Sequence, residues 1–134
     1  MADKRRASGR AFEYWVRDFL RARGWAVHLA GRRAAYIHGK IITKGDDIFG
    51  ADLVAMKPGE PVLFVQASLD GGIAKRAEEV KRWAWPEAAA FELWIKTGPG
   101  AVNVKAWEPA AGEFRDRAKI IRGTLFEKAR EASE

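Results

Sequence analysis

Polar and apolar positions alternate along the chain with two different periods. Phe12, Trp15, Val16, Phe19 and Leu20 recur at i, i+3, i+4, i+7 and i+8, the stripe of an amphipathic helix. With Ser8 as N-cap and Gly24 at C′, a helix is predicted from Ser8 to about Arg23. Trp25, Val27 and Leu29 alternate with Ala26 and His28, which predicts a strand. Ala35–Ile42 predicts a second strand or hairpin. Leu53–Met56 and Val62–Ala67 are two apolar runs separated by Lys57-Pro58-Gly59-Glu60. Pro presets φ and the following Gly accepts φ > 0, so the connection reads as a tight turn between paired strands. The stripe Ile73, Ala77, Val80, Trp83, Ala84 predicts a helix from Ile73 to Trp85, stopped by Pro86. Phe91–Ile95 and Val102–Trp107 alternate with period 2 about a Gly98-Pro99-Gly100 turn. Trp94 and Trp107 are expected together on the sheet's other face, as a dimer surface or under the C-terminal segment. Phe114, Arg117, Ala118, Ile121 and Leu125 give a helical pattern over Glu113–Arg130, interrupted by Gly123.

These elements predict an α/β chain with a mixed central sheet flanked by helices. At 134 residues the chain is expected to be a single domain, with a core from about 8 to 108 and a C-terminal helical segment over 113–131. No apolar stretch approaches the ~20 residues that cross a bilayer. The basic N-terminus is followed by no apolar h-region, which excludes a secretory signal. The chain has no cysteine, hence no disulfide and no thiolate metal site. A cytoplasmic protein is expected. The net charge of +6 points to a polyanionic partner, nucleic acid above all.

Chemistry concentrates at the open end of the central hairpin. Asp46, Asp47 and Asp52 lead in, and Gln66 and Ser68 lead out. If the connection is Pro58–Glu60, paired residue numbers sum to 118. Asp52 then lies opposite Gln66, and Ser68 shares their face. A two-residue loop would send Asp52 and Gln66 to opposite faces. Converging carboxylate and amide oxygens can hold a divalent cation.

The order of these features resembles the PD-(D/E)XK, restriction-endonuclease-like nuclease superfamily. The strand-leading Asp is in Gly50-Ala51-Asp52-Leu53-Val54-Ala55, and the acid-x-Lys triplet falls on Gln66-Ala67-Ser68. Ala7-Ser8-Gly9-Arg10-Ala11-Phe12-Glu13 is similar to the helix-borne Gly-x-x-x-Glu of the archaeal-type Holliday junction resolvases. The resemblance spans roughly Arg6 to Trp107. It departs from the pattern at the triplet, where Gln66 replaces the acid and Ser68 replaces the Lys. Asp47-Ile48-Phe49-Gly50 resembles phage nucleases of this kind, which also lack the triplet Lys.

The resemblance implies a restriction-endonuclease-like sheet and metal-dependent hydrolysis of DNA, with four-way junctions as the substrate and a homodimer supplying two symmetric cuts. The implied ligands of Mg²⁺ or Mn²⁺ are Glu13, Asp52 and the Gln66 amide, with the Ala67 carbonyl as a fourth. Lys44 is the first candidate to replace the missing Lys, beside the attacking water or the scissile phosphate, and Lys75 is the second. Asp47 would hold a second metal or position Lys44. Arg6, Arg10, Arg17, Arg32, Arg33, Lys40, Lys75 and Arg76 are the expected contacts to the DNA backbone. Two other readings stay open: a DNA-binding module that kept the fold and lost catalysis, and a nuclease for flaps, nicks or mismatched duplex.

Overall fold

A computed structural model describes residues 2–45, 48–69, 71–98 and 100–121; for 2–8, 32–37 and 40–45 it describes the backbone only. Ten elements follow one another: α1 (Ala2–Ala22), β1 (Ala26–Leu29), β2 (Arg32–Ile37), β3 (Lys40–Gly45), β4 (Leu53–Met56), β5 (Val62–Ser68), α2 (Ile73–Val80), β6 (Ala89–Lys96), β7 (Ala101–Glu108) and β8 (Glu113–Ile121). β2 and β3 form a separate two-stranded hairpin. The other strands form one sheet in the order β1-β4-β5-β6-β7-β8. Only β5 and β6 run parallel, joined by the crossover through α2; the other neighbours are antiparallel. The chain is therefore mixed α/β.

Two apolar layers hold the sheet. On one face Phe12, Val16, Phe19 and Leu20 of α1 pack on Leu53, Ala55, Leu63, Val65, Trp94, Val102 and Val104. On the other, Val80 of α2 packs with Ala51, Phe91 and Trp107. A series of ring contacts crosses this second face: Trp83 to Phe49, Phe64, Trp85, Phe91, Phe114 and Trp107. Residues 91–95 of β6 are all buried, as a central strand covered on both faces must be.

The β4–β5 register pairs Leu53 with Val65 and Ala55 with Leu63, the sum of 118 that a Pro58–Glu60 connection gives and a two-residue loop does not. Within the connection Glu60 N–H donates to the Lys57 carbonyl at 3.1 Å, and Gly59 has φ 82, which only Gly adopts freely.

Several expectations are corrected. α1 starts at Ala2, before Ser8. α2 ends at Val80, not Trp85; Trp83 N–H turns back to the Val80 carbonyl and Trp85 Nε1 donates to the same oxygen. Trp94 and Trp107 lie on opposite faces, both buried. The larger correction is Glu113–Ile121, which is the edge strand β8 rather than a helix. Val104 pairs with Ala118 and Lys105 with Asp116, so Arg117 is the extra residue of a bulge. A bulge inverts the alternation of a strand: Phe114 packs on the α2 face and Ile120 on the α1 face. The resulting apolar spacing mimics a helix. The rest of the expected helix, 122–131, lies outside the described residues.

At the start of β5 and β6 a cleft of about 610 Å³ opens between α1 and β8, lined among others by Arg23, Trp25, Glu92, Trp94 and Arg117. Glu92 is buried and accepts from Trp94 Nε1 at 3.0 Å and Arg117 Nε at 2.6 Å. The Arg23 guanidinium lies over Phe19; burial and then the charge of Arg117 hold it below its ordinary pKa.

Candidate functional site

The opposite end of the hairpin carries the residues singled out by sequence. β4 begins at Leu53, so Asp52 stands just outside the ladder. Its backbone still extends the pairing: Asp52 N–H donates to the Val65 carbonyl at 2.8 Å, and Ala30 N–H donates to the Asp52 carbonyl at 2.7 Å. Its side chain goes further. Ala67 N–H donates to Asp52 Oδ2 at 3.0 Å. The carboxylate thus takes the place a backbone carbonyl would hold in a longer strand, at the margin of the sheet. Its second oxygen is a separate acceptor.

Gln66 and Ser68 are both buried and face the α2 side, as period 2 requires from Phe64, which packs there. Only one orientation of the Gln66 amide satisfies its neighbours. In it Nε2 donates to the Gly50 carbonyl at 3.1 Å and Oε1 accepts from Arg76 Nη1 at 2.8 Å. Arg76 sits in the first turn of α2 and reaches Glu79 at 3.8 Å. Among the described residues its buried Nε has no hydrogen-bond partner.

Glu13 comes from the other face. α1 runs antiparallel to β5: Gly9 lies against Leu69, where a Cβ would be 3.9 Å from Leu69 Cδ1, and Phe19 and Leu20 line the cleft with Pro61 and Leu63. Gly9 and Glu13 share a helix face. The four residues from Gly9 to Glu13 rise about 6 Å, or about two strand residues. Glu13 therefore stands level with Ala67, half-buried at the edge of the apolar stripe. The expected trio does not share one face: Glu13 stands with α1 on one side of the sheet, Gln66 points to the α2 side, and Asp52 lies at the margin between them.

The remaining sequence candidates divide. Arg10 Nε donates to Tyr14 Oη at 3.1 Å, and the Arg10 and Arg17 guanidinium groups both lie over the Tyr14 ring. Arg17 also pairs with Asp18. Lys75 is exposed. For Arg6, Arg32, Arg33, Lys40 and Lys44 only the backbone is described, with Lys44 paired to Arg33 in the β2–β3 hairpin. Asp47 lies outside the described residues.

The geometry gives Arg76 a place that sequence reasoning did not: it was expected on the DNA backbone, and it sits on the Gln66 amide. The signal was available. Only four residues separate Ser68 from Ile73, so a crossover this short brings the first turn of α2 back over the end of β5.

No family model matches the chain, and no curated protein or solved structure is significantly similar to it. The site therefore rests on its own geometry. Among the described residues no three His, Cys, Asp or Glu side chains cluster as a metal site. Two carboxylates stand level with Ala67: Asp52, bonded to its N–H, and Glu13, on the α1 face. The Gln66 amide fits poorly as a ligand, because a guanidinium already occupies its oxygen. No helix among the described residues is long and apolar enough to cross a membrane.

Proposed function

We propose that this protein is a divalent-metal-dependent endonuclease of the restriction-endonuclease-like kind, acting on branched DNA and above all on four-way junctions. The observation that carries the reading is the contact between Asp52 Oδ2 and Ala67 N–H at the open end of β4–β5. It fixes a carboxylate beside the residue at the centre of the nuclease triplet, level with the Glu13 of α1. The order of helix, three antiparallel strands, helix and parallel strand in the main sheet supports the same fold family.

In this reading Asp52 and Glu13, with the Ala67 carbonyl, hold Mg²⁺ or Mn²⁺; such ions are commonly held by one or two carboxylates and keep several waters. The ion supplies a water of lowered pKa and offsets charge on the phosphate. Gln66 acts as a positioning residue: its amide is anchored on the Gly50 carbonyl and presents its oxygen to Arg76. Arg76 then stands in for the triplet lysine, as a fixed positive charge toward the scissile phosphate. A guanidinium has donors and no acceptor, so it stabilises charge and does not take a proton from water. Arg10 and Arg17 on α1 and Lys75 on α2 flank the site and contact the backbone without reading bases. Two symmetric cuts call for two sites, which a two-fold homodimer supplies.

One observation favours a second reading. The triplet has neither acid nor lysine, and Arg76 occupies the Gln66 oxygen. A binding module that lost catalysis would hold junctions without cutting them. Cleavage of a labelled junction by wild type and by Asp52→Asn, with and without metal, separates the two.

A further inference from the structure

Two large rings stand half in solvent beside the candidate site. Phe49 is 50% exposed and Trp83 is 44% exposed, and their centroids are 5.0 Å apart with edge-to-face planes. They are not loose. Phe49 is braced by Phe64 at 6.1 Å, two residues before Gln66 on the same strand and face. Phe49 also precedes Gly50, whose carbonyl accepts from the Gln66 amide. Phe64 and Gly50 thus link the rings to the buried Gln66 amide and its partner Arg76.

The backbone of Phe49 is held at φ 52, a left-handed conformation that a bulky aromatic residue rarely adopts. Strain of that kind persists only where the surroundings impose it. The Ile48–Ala51 turn imposes it: these two residues exchange both backbone hydrogen bonds, at 2.8 and 2.9 Å, and Phe49 and Gly50 between them both take positive φ. α2 and the turn that follows carry Lys75, Arg76, Lys81 and Arg82 against Glu78 and Glu79; Arg76 pairs with Glu79 and Lys81 with Glu78, which leaves Lys75 and Arg82 as the excess positive charge.

We propose that Phe49 and Trp83 form a stacking platform for an unpaired base of a DNA strand whose backbone is held by the cations of α2. Exposed aromatic rings set in a basic groove bind bases through their π-faces, whatever the base. A branched or distorted substrate offers such bases, whereas an intact duplex keeps its own stacked. The proposal rests on the nuclease reading only in taking DNA as the polymer, and it gives that site a means of preferring distorted strands.

The test uses three labelled duplexes in EDTA, where no metal-dependent cutting intervenes. One is fully paired, one has a short unpaired bulge, and one has the same bulge with abasic nucleotides. Wild type is expected to bind the bulge about tenfold tighter than either of the others. Phe49→Asn, which tolerates the left-handed backbone, and Trp83→Ala should bind all three alike, near the wild-type affinity for paired duplex, with melting temperatures close to wild type. A wild type without preference for the base-bearing bulge, or variants that keep it, would overturn the platform. Metal-dependent junction cutting without bulge preference sinks the platform alone. Bulge preference without cutting in any metal keeps the platform and removes the nuclease.

Discussion

Asp52 Oδ2 accepts the Ala67 N–H at 3.0 Å across the last rung of the central hairpin. One side chain thus has two separable properties, an acceptor that closes the ladder and a negative charge. Asn keeps an acceptor oxygen and loses the charge. Asp52→Asn should therefore leave the melting temperature within a few degrees of wild type and junction binding within a few fold, while cleavage disappears. Asp52→Ala, which leaves the Ala67 N–H without that acceptor, should cost about 1–3 kcal/mol of stability as well. Loss of binding and fold together in the Asn variant would make Asp52 structural.

Arg76 and Gln66 should behave as a pair. Arg76→Met keeps much of the side-chain volume and removes the charge, so turnover should fall at least tenfold with substrate affinity little changed. Gln66→Leu should give a similar loss of turnover by releasing Arg76, and the double variant should be no worse than either alone. Additive effects in steady-state kinetics would show that the two act independently.

That pairing also marks the limit of the sequence. The hairpin was legible, because Pro58-Gly59 marks the turn, but its register was legible only as two alternatives, and the structure takes the one with a three-residue connection. From the register alone, Asp52 faces Gln66. The edge strand β8 was not legible: the bulge at Arg117 breaks its period of 2 and leaves Phe114, Ala118 and Ile121 at helix-like spacing. Arg76 was seen as a cation near a helix start, and the short loop after Ser68 places that start over the end of β5, but no local pattern names Gln66 as its partner. Trp94 and Trp107 misled for a related reason. Each is flanked by alternating residues, yet the β6–β7 register places them on opposite faces.

The turn itself is a prediction about stability. Gly59→Ala forces a Cβ into the left-handed region and should cost about 1–2 kcal/mol, read as a lower midpoint in urea with an unchanged slope. An unchanged midpoint would mean that the turn tolerates another conformation.

Glu92 sits in the middle of β6, level with Val65 of β5. Its carboxylate accepts from buried Trp94 and from Arg117, and Arg117 is half exposed, so the ion pair itself contributes modestly. Glu92→Ala should cost about 1–3 kcal/mol, chiefly by leaving the Trp94 indole N–H unpaired. Arg117→Ala should cost less. Thermal melts of the two variants give the order, and equal losses would contradict it.

The most direct test of the central claim is cleavage of an end-labelled four-way junction by wild type and Asp52→Asn, in Mg²⁺, Mn²⁺ and EDTA, beside linear duplex. The account predicts paired, symmetric cuts in the junction by wild type with either metal, none in EDTA, and none by the variant although it still binds. Tight binding of the junction by wild type with no cut in either metal would contradict it and leave a DNA-binding module.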